Sequence, residues 1–124
     1  MFFFSVPASA AESPEFIEGS TVIDAAQAKD LFEQEALFVD VRKDSDWEAG
    51  RVPGAVHLEL KQVFSEEKLL EEMDKSEPVV IYCNGVKCLR SAKAVKLALA
   101  WGFSEVYYFR NGFPSWKAAG MPVE

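Results

Sequence analysis

Short apolar segments alternate along the chain with segments in which apolar residues recur at helical spacing. The apolar segments are rich in β-branched and aromatic residues, and they predict strands at residues 21–23, 37–41, 55–58, 79–82 and 106–109. The second of them is apolar at almost every position, which is typical of a strand buried on both faces.

Helical segments separate these strands. Asp24, with Gln27 three residues later, has the spacing of a capping box at the start of the first helix. The alanine- and leucine-rich segment Ser91–Trp101 has a strong helical preference. The other helices are expected around Trp47, after Ser65 and from Pro114 to about Gly120. The alternation predicts an α/β fold with a central, mostly parallel sheet and helices on both faces.

The N-terminal residues differ in composition from the rest of the chain. Residues 8–10 read Ala-Ser-Ala, the order of a signal cleavage site, and a polar stretch containing Pro14 follows. We expect residues 1–19 to be an export-signal remnant, the end of a membrane helix or a flexible linker, and residues 20–124 to form the domain. Export would place the domain in the periplasm or otherwise outside the cytoplasm, whereas an ordinary frayed terminus would leave it cytoplasmic.

Composition excludes several classes of protein. Apolar residues make up 49% of the 124 residues and charged residues 27%, as in soluble globular chains. The net charge of −7 argues against nucleic-acid binding, and no apolar run is long enough to span a membrane. Two cysteines and one histidine cannot supply a four-ligand zinc site of the usual Cys/His pattern, and no Walker or dinucleotide-binding pattern occurs. We therefore expect neither a metal nor an organic cofactor.

Cys83 directly follows the strongest strand signal and precedes a loop that leads into a helix. Successive amides of such a loop can form an anion cradle, and the helix start adds its positive dipole end. Lys87 and Arg90 add positive charge. Each effect favours the thiolate, so we expect a reactive Cys83 whose pKa lies below the usual value of about 8.5. The alternative is a small, buried, unreactive cysteine.

Three segments together resemble the signatures of rhodanese-like domains. They read LFVDVRKDSDWEAGRVPGAVHL (37–58), VVIYCNGVKCLRS (79–91) and GFSEVYYFRNGFPSW (102–116). The resemblance extends from about Ser20 to Glu124 and implies an α/β fold with a parallel sheet. It also implies a sulfurtransferase, in which Cys83 takes a sulfur atom from a small anion such as thiosulfate or polysulfide. The resulting persulfide would pass its sulfur to cyanide or to a thiol, including a thiol-carrying protein partner.

The resemblance also implies roles for the surrounding residues. The loop would bind the donor and stabilise the persulfide through inward-facing amides, and it comprises Asn84, Gly85, Val86, Lys87, Cys88, Leu89 and Arg90. Lys87 and Arg90 would attract the dianionic donor. Asp40 and Arg42 match signature positions at the end of a neighbouring strand, and we expect them to support the loop without reacting.

The loop departs from the family pattern in its length. From Cys83 to Arg90 inclusive it has eight residues, longer than in usual sulfur-transferring members and in the related cell-division phosphatases. A wider loop favours a bulkier anion or polysulfide and keeps a phosphatase-like or oxyanion-reducing enzyme as an alternative. The loop carries no Asp or Glu to protonate a leaving oxygen, which counts against a phosphatase. A non-catalytic sensing or docking module is a third possibility.

Cys88 has three interpretations. It could form a disulfide with Cys83, it could resolve a persulfide on Cys83 and release hydrosulfide, or it could simply pack under the loop. His57 follows a turn on a short predicted strand, and we expect it to be structural.

Overall fold

Five parallel strands form the centre of the fold. The computed structural model describes residues 12–124. The strands are β1 (Thr21–Val22), β2 (Leu37–Asp40), β3 (Val56–His57), β4 (Pro78–Tyr82) and β5 (Glu105–Phe109), in the spatial order β1-β5-β4-β2-β3. The helices are α1 (Ala25–Glu33), α2 (Asp44–Ala49), α3 (Glu66–Leu70), α4 (Arg90–Ala100) and α5 (Gly112–Ala118). Every strand pair is parallel, so the predicted α/β class is confirmed.

The central strand β4 separates two apolar cores. Val79 and Ile81 pack in the core on the side of α3 and α4, whereas Val80 and Tyr82 pack in the core on the side of α1 and α5. This alternation is the two-residue period of an extended strand. Cys83 continues it and joins the core on the α4 side. The helices therefore cover both faces of the sheet, as the sequence predicts.

Helix boundaries follow the capping signals in most places. The Asp24 carboxylate accepts a hydrogen bond from the Gln27 amide at 2.9 Å, and the Gln27 side chain accepts one from the Asp24 amide at 2.9 Å, which confirms the capping box. Ser65 caps α3 by accepting a hydrogen bond from the Lys68 amide. Helices α4 and α5 begin earlier than predicted, at Arg90 and at Gly112, and Pro114 lies in the first turn of α5.

Residues 12–19, here called the N-terminal strap, pack onto the domain, although the sequence predicts a domain that begins at residue 20. Ile17 is buried in the core on the α4 side, and Ser13 is only 2% exposed. The hydroxyl of Tyr108 donates a hydrogen bond to the Pro14 carbonyl at 2.9 Å. The predicted boundary at residue 20 therefore lies too late in the chain. Residues 8–10 lie outside the described residues, and the cleavage-site interpretation stays a prediction.

No helix within residues 12–124 is both long and apolar enough to cross a bilayer.

Candidate active site

The carboxyl ends of β2 and β4 lie side by side at the centre of the sheet. After β2 the chain continues to β3, which lies towards one edge of the sheet. After β4 it continues to β5, which lies towards the opposite edge. Ligands in open α/β sheets bind where neighbouring connections diverge in this way. Asp40 at the end of β2 is in register with Tyr82 at the end of β4, which places Cys83 at this point.

A buried ion pair lies at the end of β2. The Arg42 guanidinium donates to both carboxylate oxygens of Asp40, at distances of 2.7 to 3.0 Å, and also to the Gly50 carbonyl oxygen at 2.6 Å. Arg42 is 3% exposed and Asp40 is fully buried. Burial lowers the pKa of Arg42, but the hydrogen bonds and charge of Asp40 outweigh it and raise that pKa above its usual value. Arg42 is thus a fixed cation.

The same guanidinium holds the first residue of the loop. Arg42 Nη1 donates to Asn84 Oδ1 at 3.1 Å, and Asn84 Nδ2 donates to Asp46 Oδ2 at 2.8 Å. The structure therefore brings Asp40 and Arg42 to the loop, where the family resemblance implies a supporting role for them. Asp46 was not singled out from the sequence. The only local feature that marks Asp46 is its position in the first turn of α2, where acidic residues are favoured.

Cys83 and Cys88 form a disulfide in this structure. Their Cα atoms are 6.3 Å apart, within the range that a disulfide can bridge. The amide of Cys88 donates to the Gly85 carbonyl at 3.0 Å, so residues 85–88 form a tight turn. The structure therefore agrees with the first interpretation of Cys88, a disulfide with Cys83.

The disulfide changes the expectation for Cys83. The sequence predicts a solvent-reachable thiolate, but Cys83 is 1% exposed and bonded to the half-buried Cys88. The physical reason is that Cys88 folds back over the first cysteine and packs against the same core. Because a disulfide sulfur is not a thiolate, the disulfide form lacks the thiolate that the sequence predicts at Cys83.

Only some of the loop amides donate hydrogen bonds to the protein. The Cys88 amide is used within the loop, which corrects the expectation that every amide from Asn84 to Leu89 faces an anion. Those of Gly85, Val86 and Lys87 donate to no protein oxygen within residues 12–124. The Lys87 side chain is exposed and forms no ion pair with any described residue. Neither these three amides nor the Lys87 side chain is therefore paired with another described group.

Arg90 is held differently from the sequence expectation. Its Nη1 donates to Glu59 Oε2 at 2.5 Å and to the Val41 carbonyl at 3.2 Å. The hydrogen bond from Arg90 lowers the pKa of Glu59 below its usual value. The positive charge of Arg90 is therefore balanced by a carboxylate, which weakens its predicted role in attracting the donor. No local motif points to Glu59, because the pair spans 31 residues.

The N-terminal strap holds the middle of the loop. The Val86 carbonyl accepts hydrogen bonds from the Ser13 amide at 2.7 Å and from the Ser13 hydroxyl at 2.9 Å. The Ser13 carbonyl in turn accepts from Arg110 Nη2 at 2.8 Å. Leu89, the last residue before α4, is 44% exposed, and its carbonyl accepts from the Lys93 amide. The loop is thus fixed at Val86, while Lys87 and Leu89 remain on its outer surface.

Comparison with known proteins identifies the family. Residues 24–119 match the family model of the Rhodanese-like domain. The chain belongs to this family. It is 34% identical over 95 residues to the thiosulfate sulfurtransferase GlpE of Pseudomonas syringae pv. syringae, and the aligned residues cover 77% of this chain and 85% of that protein.

Other relatives have different names. The chain is 32% identical over 90 residues to the HTH-type transcriptional regulator Rv0324 of Mycobacterium tuberculosis, covering 73% of this chain but only 38% of that protein. Among solved structures, the Alr3790 protein from Anabaena sp. aligns with a TM-score of 0.71 and 27% identity, over 82% of this chain and 90% of that one. These findings confirm the predicted family and fold.

A glycine of the rhodanese-like domain supports the loop from below. Gly112 adopts a positive φ of 64° at the start of α5, and a Cβ atom there would overlap the backbone carbonyl of Cys83. The next amide, that of Phe113, donates to the Cys83 carbonyl at 2.9 Å. In the sequence this region stands out only as part of a signature segment, because the close approach to Cys83 depends on tertiary packing.

No group of three or more His, Cys, Asp or Glu side chains in the described part of this rhodanese-like domain could hold a metal.

His57 stacks on Trp47 with ring centroids 4.7 Å apart, and its Nε2 lies 2.7 Å from the Arg42 carbonyl oxygen. These contacts fit the structural role expected for His57. An open cleft of about 300 Å³ adjoins Arg90, and Lys43 and Lys61 contribute to its lining.

Replacing Ser13 with alanine is expected to lower the free energy of unfolding by about 1 kcal/mol, because one hydrogen bond to Val86 is lost and the backbone bond remains. Urea denaturation measures the change. Ser45→Ala, at an exposed position of α2, is the control and should stay within about 0.5 kcal/mol of wild type. Equal values for the two variants would contradict a stabilising contact between the strap and the loop.

Proposed function

We propose that this rhodanese-like domain is a sulfurtransferase in which Cys83 carries the transferred sulfur as a persulfide. The observation that carries the proposal is the position of Cys83. It directly follows the central strand where the β2 and β4 connections diverge, and it begins a loop in which several amides donate to no described protein oxygen. The identity with proteins named thiosulfate sulfurtransferase supports the same activity.

The proposed reaction has two stages. The Cys83 thiolate attacks the outer sulfur of a donor such as thiosulfate or polysulfide, a new S–S bond forms, and the donor's own S–S bond breaks. The leaving group, which is sulfite when thiosulfate is the donor, departs with the electron pair. A thiol, free or carried by a protein, or cyanide then attacks the outer sulfur and regenerates the Cys83 thiolate. The amides of Gly85, Val86 and Lys87 would stabilise the negative persulfide sulfur.

The reaction requires the reduced form of the site. Cys83 is bonded to Cys88, and only a thiolate attacks a sulfur donor. We therefore expect sulfur uptake after treatment with a dithiol and none by the untreated, disulfide-bonded chain.

Replacing Cys83 with serine is expected to abolish sulfur uptake at this position. The informative comparison uses Cys88→Ser, which leaves Cys83 as the single cysteine and removes the disulfide. After reduction and removal of the reductant, Cys88→Ser is incubated with thiosulfate or polysulfide and its intact mass is measured. We expect a gain of one sulfur atom, mapped by peptide analysis to Cys83 and discharged by cyanide.

The control is the Cys83→Ser/Cys88→Ser double variant, which should gain no sulfur from either donor. Absence of a mass gain on Cys83 with both donors would contradict the proposal. Hydrolysis of an aryl phosphate by the reduced wild type, lost in Cys83→Ser, would instead favour the phosphatase-like alternative.

A further inference from the structure

We propose that Cys88 is the resolving thiol of this site, so that the domain also acts as a dithiol-dependent persulfide reductase. In this activity the sulfur taken up by Cys83 leaves as hydrosulfide, and Cys83 and Cys88 become a disulfide. The inference rests on the proposed persulfide at Cys83, and it adds a second fate for that persulfide besides transfer to an acceptor.

The position of Cys88 carries the inference. Its sulfur is bonded to the Cys83 sulfur, so it lies where any other partner of Cys83 would have to bind. A Cα separation of 6.3 Å permits this bond without backbone movement. A thiol held beside the reacting sulfur has a large advantage over a free thiol, because the freedom lost in a bimolecular encounter is already lost on folding.

Contacts other than the disulfide bond keep the two cysteines together. Arg42 holds Asn84, Ser13 holds the carbonyl of Val86, and the Cys88 amide closes a turn on Gly85. These contacts do not involve either sulfur atom. Reduction of the disulfide therefore leaves the loop path defined, and Cys88 stays within reach of a persulfide on Cys83.

The resolving step is balanced within the site. The Cys88 thiolate attacks the Cys83 sulfur, the bond between the two cysteine sulfurs forms, and the bond from Cys83 to the outer sulfur breaks. The outer sulfur leaves with the electron pair as hydrosulfide, which takes up the proton given by the Cys88 thiol. The outer sulfur is reduced by two electrons and the two thiols are oxidised, so no additional oxidant is required.

Burial determines how the disulfide is opened. Cys83 is 1% exposed, whereas Cys88 is half-buried and lies between the exposed residues Lys87 and Leu89. An incoming thiolate therefore reaches the Cys88 sulfur and forms a mixed disulfide there, with Cys83 as the leaving thiolate. A second thiol on the same reductant then displaces Cys88. Two thiols complete the reduction, and a dithiol, the reductant class that we propose, supplies both in one molecule.

The first experiment follows the sulfur in a single turnover. Reduced wild-type protein, freed of reductant, receives one equivalent of thiosulfate, whose own leaving group is sulfite and not hydrosulfide, and hydrosulfide and intact mass are measured. We expect one hydrosulfide per chain and a chain lighter than the reduced form by two hydrogen atoms. Cys88→Ser should keep the sulfur as a persulfide and release hydrosulfide only when a thiol is added. Leu97→Ser, at an exposed position of α4, is the matched control and should behave as wild type.

The outcomes separate this inference from the proposed function. If wild type retains the sulfur as Cys88→Ser does, or if the sulfur is found on Cys88, the resolving role is overturned while sulfur uptake by Cys83 stands. If Cys88→Ser takes up no sulfur from thiosulfate or from polysulfide, the proposed persulfide itself fails.

The second experiment tests the order of opening. Oxidised wild type is treated briefly with glutathione and then with an alkylating reagent, and the peptides are mapped. We expect glutathione on Cys88 and the alkyl group on Cys83. Glutathione on Cys83 would overturn the proposed order.

Discussion

Replacing Arg42 with alanine is expected to lower the free energy of unfolding by about 3–5 kcal/mol. The substitution leaves the fully buried Asp40 carboxylate without its cationic partner and removes the donor to the Gly50 carbonyl. An uncompensated buried charge is among the most destabilising changes in a small domain. Urea denaturation at neutral pH measures the loss. The Asn84 side chain also loses its hydrogen bond from Arg42, so we expect faster amide hydrogen exchange in the loop.

Two variants make this prediction specific. Lys29→Ala removes one side of an exposed ion pair on α1, at 4.0 Å, and should cost no more than about 0.5 kcal/mol. Adding Asp40→Asn to Arg42→Ala should recover part of the loss, because the remaining buried group is then uncharged. A cost for Arg42→Ala as small as that of Lys29→Ala would mean that water or another group compensates Asp40.

Replacing Gly112 with alanine is expected to impair both stability and sulfur uptake. The added Cβ would overlap the Cys83 carbonyl and lie 2.9 Å from the Gly85 amide nitrogen, so the start of the loop must move. Such overpacking costs about 1–3 kcal/mol. A displacement of about 1 Å at a reacting group reduces rates by about 100-fold, which we expect for sulfur uptake by reduced protein.

Gly120→Ala is the matched control for that variant. Gly120 also has a positive φ, of 77°, but a Cβ atom there would meet nothing within 4 Å. It should therefore show only the conformational cost of about 1–2 kcal/mol, with sulfur uptake unchanged. Normal uptake by Gly112→Ala would show that the base of the loop tolerates the extra methyl group.

Local patterns predict most of the fold. The strand segments, the capping box at Asp24 and the alternation of strands with helices depend on residues close together in sequence, and the structure confirms them. The same is true of the site's starting point, because Cys83 after an apolar strand and before a helix indicates the end of a central strand. Its position at the diverging connections follows from strand order.

Contacts between distant residues account for what the sequence does not predict. The spacing of Cys83 and Cys88 permits a disulfide but does not determine the path of the loop, which depends on Ser13 and Arg42. The balance of Arg90 by Glu59 likewise joins two separate elements. Charge counted along the sequence therefore overstates the positive field of the loop.

The N-terminal strap has a practical consequence for work with the isolated domain. An expressed fragment beginning at residue 20, the boundary that composition favours, would lack Ser13 and Ile17. Water would then reach the Val86 carbonyl and one edge of the apolar core. The loop of such a fragment would lack its contact with Ser13. Proteins expressed for assays should therefore begin at residue 12 or earlier.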